Sequence, residues 1–324
     1  MRGLVPRHDV TPDSAQTFSR RLPGGACDVR DHAARGGDAM PSQCGANRAD
    51  SVAAAPPRSS ADDDSVRDIQ SCNGRDLGSP RHVLKVDLHA HTADDPLDRI
   101  PHTTDQLIAR AADLGYQALA VTLHDRQLDI RPHMAHARER GVTLIPGIER
   151  TVEGRHVLLL NFREGAADVR SFEDLARLKR RSSGLVIAPH PFFPGPTCLR
   201  RRLDEHGDLF DAVEWNAMFT ASLNFNIAAR EWAESRGKPV VGNGDIHRLR
   251  QLGTTYSLID AEPDADAICG AVLAGHVRVR TTPLSFPMAG GIIADLVAAA
   301  LLRRPFDSRA QASGDALAKA TPSG

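Results

Sequence analysis

The 324-residue sequence predicts an α/β fold, a distorted (β/α)7-like barrel with a metal site at the carboxyl ends of its strands. Three observations predict it. Short apolar, β-branched runs alternate with helical patterns of roughly ten residues, as in successive βα units. About seven such units follow one another over about 200 residues, which is the layout of a barrel. Several of the runs end in residues able to bind metals, at the end of the barrel where such folds carry their chemistry. A doubly wound open sheet is the alternative. The chain has no internal repeat and no Gly-x-Gly-x-x-Gly after a strand, which weakens nucleotide-cofactor readings.

Residues 1–80 contain no lysine, glutamate or tyrosine and are rich in Gly, Pro, Ser, Asp and Arg. Such a stretch cannot bury enough surface to offset its ordering entropy, so disorder is expected there. A transit peptide competes with that reading, but Asp62-Asp63-Asp64 argue against it, and a true start at Met40 or a later codon is a further alternative. Regular structure is expected from 81 to about 306, with 307–324, rich in Ala, Ser and Gly, as a flexible tail.

The first strand is Val83-Leu84-Lys85-Val86-Asp87-Leu88, running into His89 and His91. Residues i and i+2 of an extended chain point to one side, so both imidazoles leave the strand toward a common point. Thr103 and Thr104 are good helix N-caps, and Leu107, Ile108, Ala111 and Leu114 mark one helical face closed by Gly115. Strand 118–123 follows, then a helix over 132–140, strand 142–145 and strand 156–162. A helix over 171–181 precedes strand 185–188, and strand 212–215 precedes a helix over 223–235. Strand 239–242 leads into Asp245. Strands 254–259 and 277–280 flank a helix over 264–274, and an apolar helix at 292–302 is expected to pack on the barrel.

Composition removes several function classes. Hydrophobic residues make up 41% and charged residues 25%, ordinary for a globular chain, and the net charge of −1 points to neither nucleic acid nor membrane. No apolar run approaches the roughly 18 residues of a membrane span, and Met1–Val10 lacks a signal core. Five cysteines form no Cys-x-x-Cys pair, consistent with reduced thiols in a cytoplasmic protein.

Later strands end in Thr122-Leu123-His124-Asp125, Pro146-Gly147-Ile148-Glu149, Ala188-Pro189-His190-Pro191 and Gly244-Asp245-Ile246-His247. With His89, His91 and His156, these supply His124, Glu149, His190, Asp245 and His247 as candidate ligands. Each alone has an ordinary explanation: a loop cap, a packed loop histidine, a turn aspartate. Their joint occurrence at separate strand ends does not. Imidazole with carboxylate suits Zn, Mn or Fe, and so many ligands exceed one tetrahedral ion, which points to two or three divalent ions with a bridging carboxylate.

The order His-x-His, His-Asp, Pro-Gly-x-Glu, Pro-His-Pro and Gly-x-Asp-x-His resembles the PHP (polymerase and histidinol phosphatase) superfamily over about residues 83–285, and looks closest to its small stand-alone metal-dependent phosphoesterases. The elements His156-Val157-Leu158, Val213-Glu214-Trp215-Asn216 and Gly253-Thr254-Thr255-Tyr256 share the likeness. The resemblance implies a TIM-like barrel, the eight ligands above and Glu149 as the bridge. Family members carry Ser-Asp shortly after the second histidine. Here the spacing is shorter, and Asp94 is the candidate for that ligand; Leu123 stands where an aspartate is commoner.

The expected activity is hydrolysis of a phosphate ester by metal-activated water, with Arg126, Arg150 and Arg248 near enough in sequence to bind phosphate. A small phosphorylated substrate is expected over long nucleic acid, because the chain has only four lysines and 4% aromatic residues. The alternatives are a phosphodiesterase or exonuclease on short oligonucleotides, a non-phosphate hydrolase on the same scaffold, and a non-catalytic metal-binding module.

Overall fold

Alternating strand residues supply one interior. Leu84 and Val86, Ala118 and Ala120, Ile145, Leu158 and Leu160, Leu185 and Ile187, Ala212, Val241, Ile259 and Val277 form a single buried cluster with Ile268 and Val272 of a covering helix. A cluster fed by one face of nearly every strand is the inside of a barrel. The structure, a computed structural model, describes residues 67–70 and 82–301, all within one unit from Ser60 to Gly324.

Ten strands form the sheet: β1 (Arg67–Gln70), β2 (Val83–Asp87), β3 (Ala118–Val121), β4 (Thr143–Val152), β5 (Arg155–Leu160), β6 (Leu185–Ala188), β7 (Ala212–Asn216), β8 (Val240–Asn243), β9 (Thr255–Asp260) and β10 (Val277–Thr281). Their order is β1-β10-β9-β2-β3-β4-β5-β6-β7-β8. The opposite faces of β3 and β6 are buried too: Leu119 and Val121 lie with Leu107, Ile108 and Ala111 of helix α1 (Thr104–Asp113), and Val186 and Ala188 lie with Phe172 and Leu175 of helix α3 (Phe172–Arg181). Burial on both faces is why these strands read as continuous apolar runs. Both helices start at capping boxes, Thr103 with Gln106 and Ser171 with Asp174.

The barrel is closed by polar contacts between the end of β2 and the end of β8, with the residues that follow each. Gly244 N–H donates to Asp87 Oδ2 (2.9 Å), Leu88 N–H to Asn243 Oδ1 (3.1 Å), Ile246 N–H to His89 O (3.2 Å) and His91 N–H to Ile246 O (3.0 Å). Gly242 lets β8 lie against β9 and β10: a Cβ there would lie 2.7 Å from Val279 Cγ1 and 2.8 Å from Tyr256 O.

The structure corrects the expected run of parallel βα units. Only β2–β3, β3–β4, β6–β7 and β7–β8 pair in parallel; β4–β5, β5–β6, β2–β9, β9–β10 and β1–β10 are antiparallel. β4 and β5 form a hairpin whose two turn residues, Glu153 (φ 47°) and Gly154 (φ 77°), both take positive φ, the geometry that matches strand twist. β4 is therefore one ten-residue strand, and Glu149 lies within it rather than at its end. β1 falls in the segment expected to be disordered; the rest of that segment, 1–66 and 71–80, and the tail from 302 to 324 lie outside the described residues. The last helix, α7 (Phe286–Leu301), packs through Ala289 and Ile292 with Leu284 and Met218, leaving Phe286 and Ile293 exposed. Among the described residues no helix is long and apolar enough to cross a membrane.

Candidate metal centre

The site is assembled from strand ends. Asp87, the last residue of β2, accepts from His89 N–H through Oδ1 (3.0 Å) while its Oδ2 holds Gly244. This lays His89-x-His91 beside Asp245-x-His247, with Ala90 bridged in parallel to Ile246, and puts Asp245 Oδ1 3.4 Å from both His89 and His91 Nε2. After β3, Asp125 N–H donates to Glu149 O (2.9 Å) and Glu149 N–H to Leu123 O (3.1 Å), which sets His124 beside Glu149. The β4–β5 turn then returns His156 to the same carboxylate.

Glu149 stands at the centre, almost wholly buried. Its Oε2 lies 3.2 Å from His89 Nε2, 3.3 Å from His91 Nε2 and 3.2 Å from His124 Nε2. Its Oε1 lies 2.6 Å from His156 Nδ1 and 3.2 Å from His190 Nε2. Asp245 Oδ1 lies 3.4 Å from each of His89 Nε2, His91 Nε2 and His247 Nδ1. Four overlapping sets of ligand atoms lie within 4.8 Å of one another: His91, His124 and His247; His89, His190 and Asp245; His89, His91 and Glu149; His124, Glu149 and His156. Five imidazoles converging on one carboxylate are a donor set for divalent transition ions sharing a bridge.

Comparison with known proteins bears on the same segment. A family model described as PHP-associated matches residues 224–277, which include Asp245 and His247. The DNA polymerase III PolC-type of Streptococcus mutans is 35% identical over 98 residues, 30% of this chain and 6% of that one. The protein of the same description from Streptococcus pyogenes is 36% identical over 88 residues, 27% and 6% of the two chains. The family match is confined to residues 224–277 of this chain. The chain spans only about 6% of the length of these relatives. Among solved structures, a two-domain protein from Bacteroides vulgatus containing a predicted PHP-like metal-dependent phosphoesterase is 18% identical, with a TM-score of 0.48 over 64% of this chain and 70% of that one. A lesion-specific endonuclease from Pyrococcus furiosus is 19% identical, with a TM-score of 0.43 over 60% and 56%.

Of the ligands anticipated from the sequence, the structure brings together His89, His91, His124, Glu149, His156, His190, Asp245 and His247. It does not bring Asp94 with them. The Asp94 side chain is 45% exposed and accepts from Thr92 and Thr104 hydroxyls at 3.4 and 3.3 Å. Its neighbour Asp95 occupies the place instead, with Oδ2 3.0 Å from His91 Nδ1 and 2.9 Å from His124 Nδ1. Asp95 Oδ1 also accepts from the N–H groups of Leu97 and Asp98, so the short loop turns this carboxylate inward.

The arginines separate. Arg126 is half exposed beside Asp94 and bonds its carbonyl. Arg248 is partly buried, donating to His247 O (2.9 Å) and lying 3.4 Å from Asp295. Arg150 is 5% exposed and fully engaged: Nη1 donates to Asp125 Oδ1 (2.6 Å) and Nε to Val169 O (2.6 Å). It clamps the segments that carry His124 and Glu149 and has no free face for a substrate phosphate.

Sequence reasoning missed the supporting residues. Glu214 in β7, fully buried, lies 2.8 Å from His89 Nδ1, accepts from His190 N–H (2.8 Å), and is bonded by Asn216 and Asn243. Cys198 Sγ lies 3.4 Å from His190 Nδ1. Such partners fix which ring nitrogen faces a metal. The Val-Glu element was the available signal for Glu214; nothing local marks Cys198.

The electrostatics follow from this crowding. Burial drives His89 toward the neutral form, but Asp245, Glu214 and Glu149 outweigh it and place its pKa at about 10. His91 and His190 rise in the same way, while His124 falls, through burial and the adjacent His91. Burial opposes ionisation of Glu149 and Asp245, yet His156 and His89 around the first and His89 and His91 around the second keep both well below the usual carboxylate range. Asp125 (φ 54°), His190 (φ 29°) and Asp245 (φ 49°) are non-glycine residues at positive φ in or beside the cluster, where such strain is held by the surrounding bonds.

Proposed function

We propose that this chain hydrolyses a small phosphate ester, using two or three divalent ions, Mn, Zn or Fe, held by the His–Glu–Asp cluster. The observation that carries the reading is Glu149, a buried carboxylate facing five imidazoles through both oxygens. His89, His91, His124, His156, His190, Glu149, Asp245 and His247 would hold the ions, with Asp95 joining them or orienting His91 and His124. When bound, such ions lower the pKa of a coordinated water and neutralise charge developing on phosphoryl oxygens. The chain supplies the rest. Glu214 and Asp95 face the far nitrogens of His89, His91 and His124 and fix their ring orientation. Arg126 and Arg248 would meet phosphoryl oxygens. Only four lysines, no lysine stripe and a net charge of −1 favour a small substrate over a long polyanion. A cytoplasmic location goes with this reading, Cys198 and Cys269 being free thiols.

A second reading, phosphodiester cleavage in nucleic acid, is favoured by the local likeness to the DNA polymerase III PolC-type chains. One panel separates the two. Protein reconstituted separately with Mn, Zn and Fe is assayed on a mononucleotide, a dinucleotide and a long single strand at low and moderate salt. The first reading expects release of phosphate from the mononucleotide with little salt dependence. Preference for the long strand, with rates falling steeply as salt rises, would establish the second. If no phosphate is released and neither the dinucleotide nor the strand is cleaved with any of the metals, both are overturned.

A further inference from the structure

The ligands of the cluster are not equally buried. His89, His91 and Glu149 side chains are closed off, at 1% exposure or less, whereas His190 is 13% and Asp245 18% exposed. His156 (12%) and His247 (10%) also meet solvent, so the cluster opens over several ligands, most widely at its His190–Asp245 side. On that side stands a pair of aromatic rings. Phe193 lies edge-on to His190, with ring centroids 6.4 Å apart, and Phe225 lies 5.3 Å beyond it. Both rings are half-buried, and neither belongs to a hydrophobic core cluster among the described residues. Phe192, one residue away, does pack into the core.

Both rings are tied to the residues around the metal ligands. Phe193 N–H donates to His190 O (3.2 Å), so one turn links the ring to the ligand. Arg200 holds Phe193 O from outside (3.3 Å). Phe225 precedes Asn226, whose side chain accepts from Asn216 N–H and donates to Asn216 O, both at 2.9 Å. Asn216 in turn donates to Asp245 (3.2 Å) and Glu214 (3.0 Å). An aromatic pair held in this way at the open side of a metal cluster is a stacking surface at a fixed distance from the reacting phosphate.

We infer that Phe193 and Phe225 form a platform for a planar aromatic group of the substrate, so that the ester is a mononucleotide whose base stacks there. The inference deepens the phosphoesterase reading and rests on it for the position of the phosphate. A mononucleotide separates phosphate from base by one ribose, a step of the same order as that from His190 to Phe193. One platform suits one base. A strand of bases would need a row of them. The exposed Leu223 and Ile227 beside Phe225 extend the apolar lip on which the base edge would rest.

The test uses the full, metal-loaded chain and the variants Phe193→Ala, Phe193→Leu and Phe225→Ala. Phe193→Leu keeps apolar volume and removes only the ring. KM for AMP is expected to rise about ten-fold in each variant, the loss of one base–aromatic stack. KM for ribose 5-phosphate, kcat and metal content should stay unchanged. An unchanged KM for AMP, or an equal rise for both substrates, would overturn the platform. Binding of adenosine 5′-phosphorothioate and of ribose 5-phosphate, read by calorimetry, keeps this separate from the phosphoesterase reading. If no phosphate ester is turned over but the nucleotide analogue binds wild type more tightly and loses that advantage in Phe193→Leu, the platform stands and the phosphoesterase reading falls. Equal binding of the two ligands to wild type overturns the platform.

Discussion

Substituting Arg150 by Met tests how the barrel rim is held together. Arg150 and Asp125 are an ion pair largely out of solvent, with side-chain exposures of 6% and 16%. Removing the guanidinium strips Asp125 of its 2.6 Å partner and leaves it Thr151 N–H and Oγ1, at 2.7 and 2.9 Å. Val169 O loses the Arg150 Nε donor at the same time. Breaking one side of a buried pair costs about 3–5 kcal/mol. Asp125 keeps two donors, so the lower end, about 3 kcal/mol, is expected. For a domain of this size each kcal/mol shifts the midpoint about 2–4 °C, which gives a fall of about 6–12 °C in a thermal melt. Because Asp125 N–H and Glu149 N–H bracket the same rim segment, the loosened clamp also lets His124 drift from Glu149, and bound metal per chain should fall. The assay is differential scanning calorimetry with elemental analysis of dialysed protein. A variant that melts like wild type, keeps its metal and only raises KM would refute the reasoning and return Arg150 to the substrate.

Four further outcomes are expected. Glu149→Ala, His89→Ala and Asp245→Asn should lower metal content and abolish turnover while circular dichroism stays unchanged; wild-type rates with metal present would show the site misassigned. Glu214→Gln should keep the fold but weaken metal binding about 10–100-fold, since it removes the carboxylate facing His89 Nδ1; unaltered affinity in a metal competition titration would contradict that. His89 has a pKa of about 10, despite burial, because of Asp245, Glu214 and Glu149, so in metal-free protein it is protonated below that pH and must lose its proton to ligate. Loading should therefore release protons and apparent affinity should rise with pH between about 6 and 9, which calorimetry in buffers of different ionisation enthalpy can detect; proton uptake would reverse the sign. Deleting residues 1–66 should leave the melting midpoint unchanged, whereas deleting 1–80 removes β1 from the β10 edge and should lower it; equal midpoints would make β1 dispensable.

Much of the site was legible because its signals are local. His89 and His91, like Asp245 and His247, are spaced i, i+2 after apolar runs, and the two-residue period of an extended chain directs each pair to one side without reference to anything distant. The strand and helix alternation was equally local, as were the Thr103 and Ser171 caps. Pairing direction was not. Nothing in the apolar run of β5 states that it returns along β4; two positive-φ turn residues decide it, and they move His156 to within 2.6 Å of Glu149. The choice between Asp94 and Asp95 was also hidden, since adjacent acids look alike in sequence and only the loop geometry turns one toward His91 and His124. Glu214 acts on His89 across 125 positions, and Arg150 meets Asp125 across 25. Local periodicity determines which residues can reach a barrel mouth. Which polar group satisfies which buried partner is settled only when the sheet closes, because a hydrogen bond depends on distances that separation along the chain does not encode.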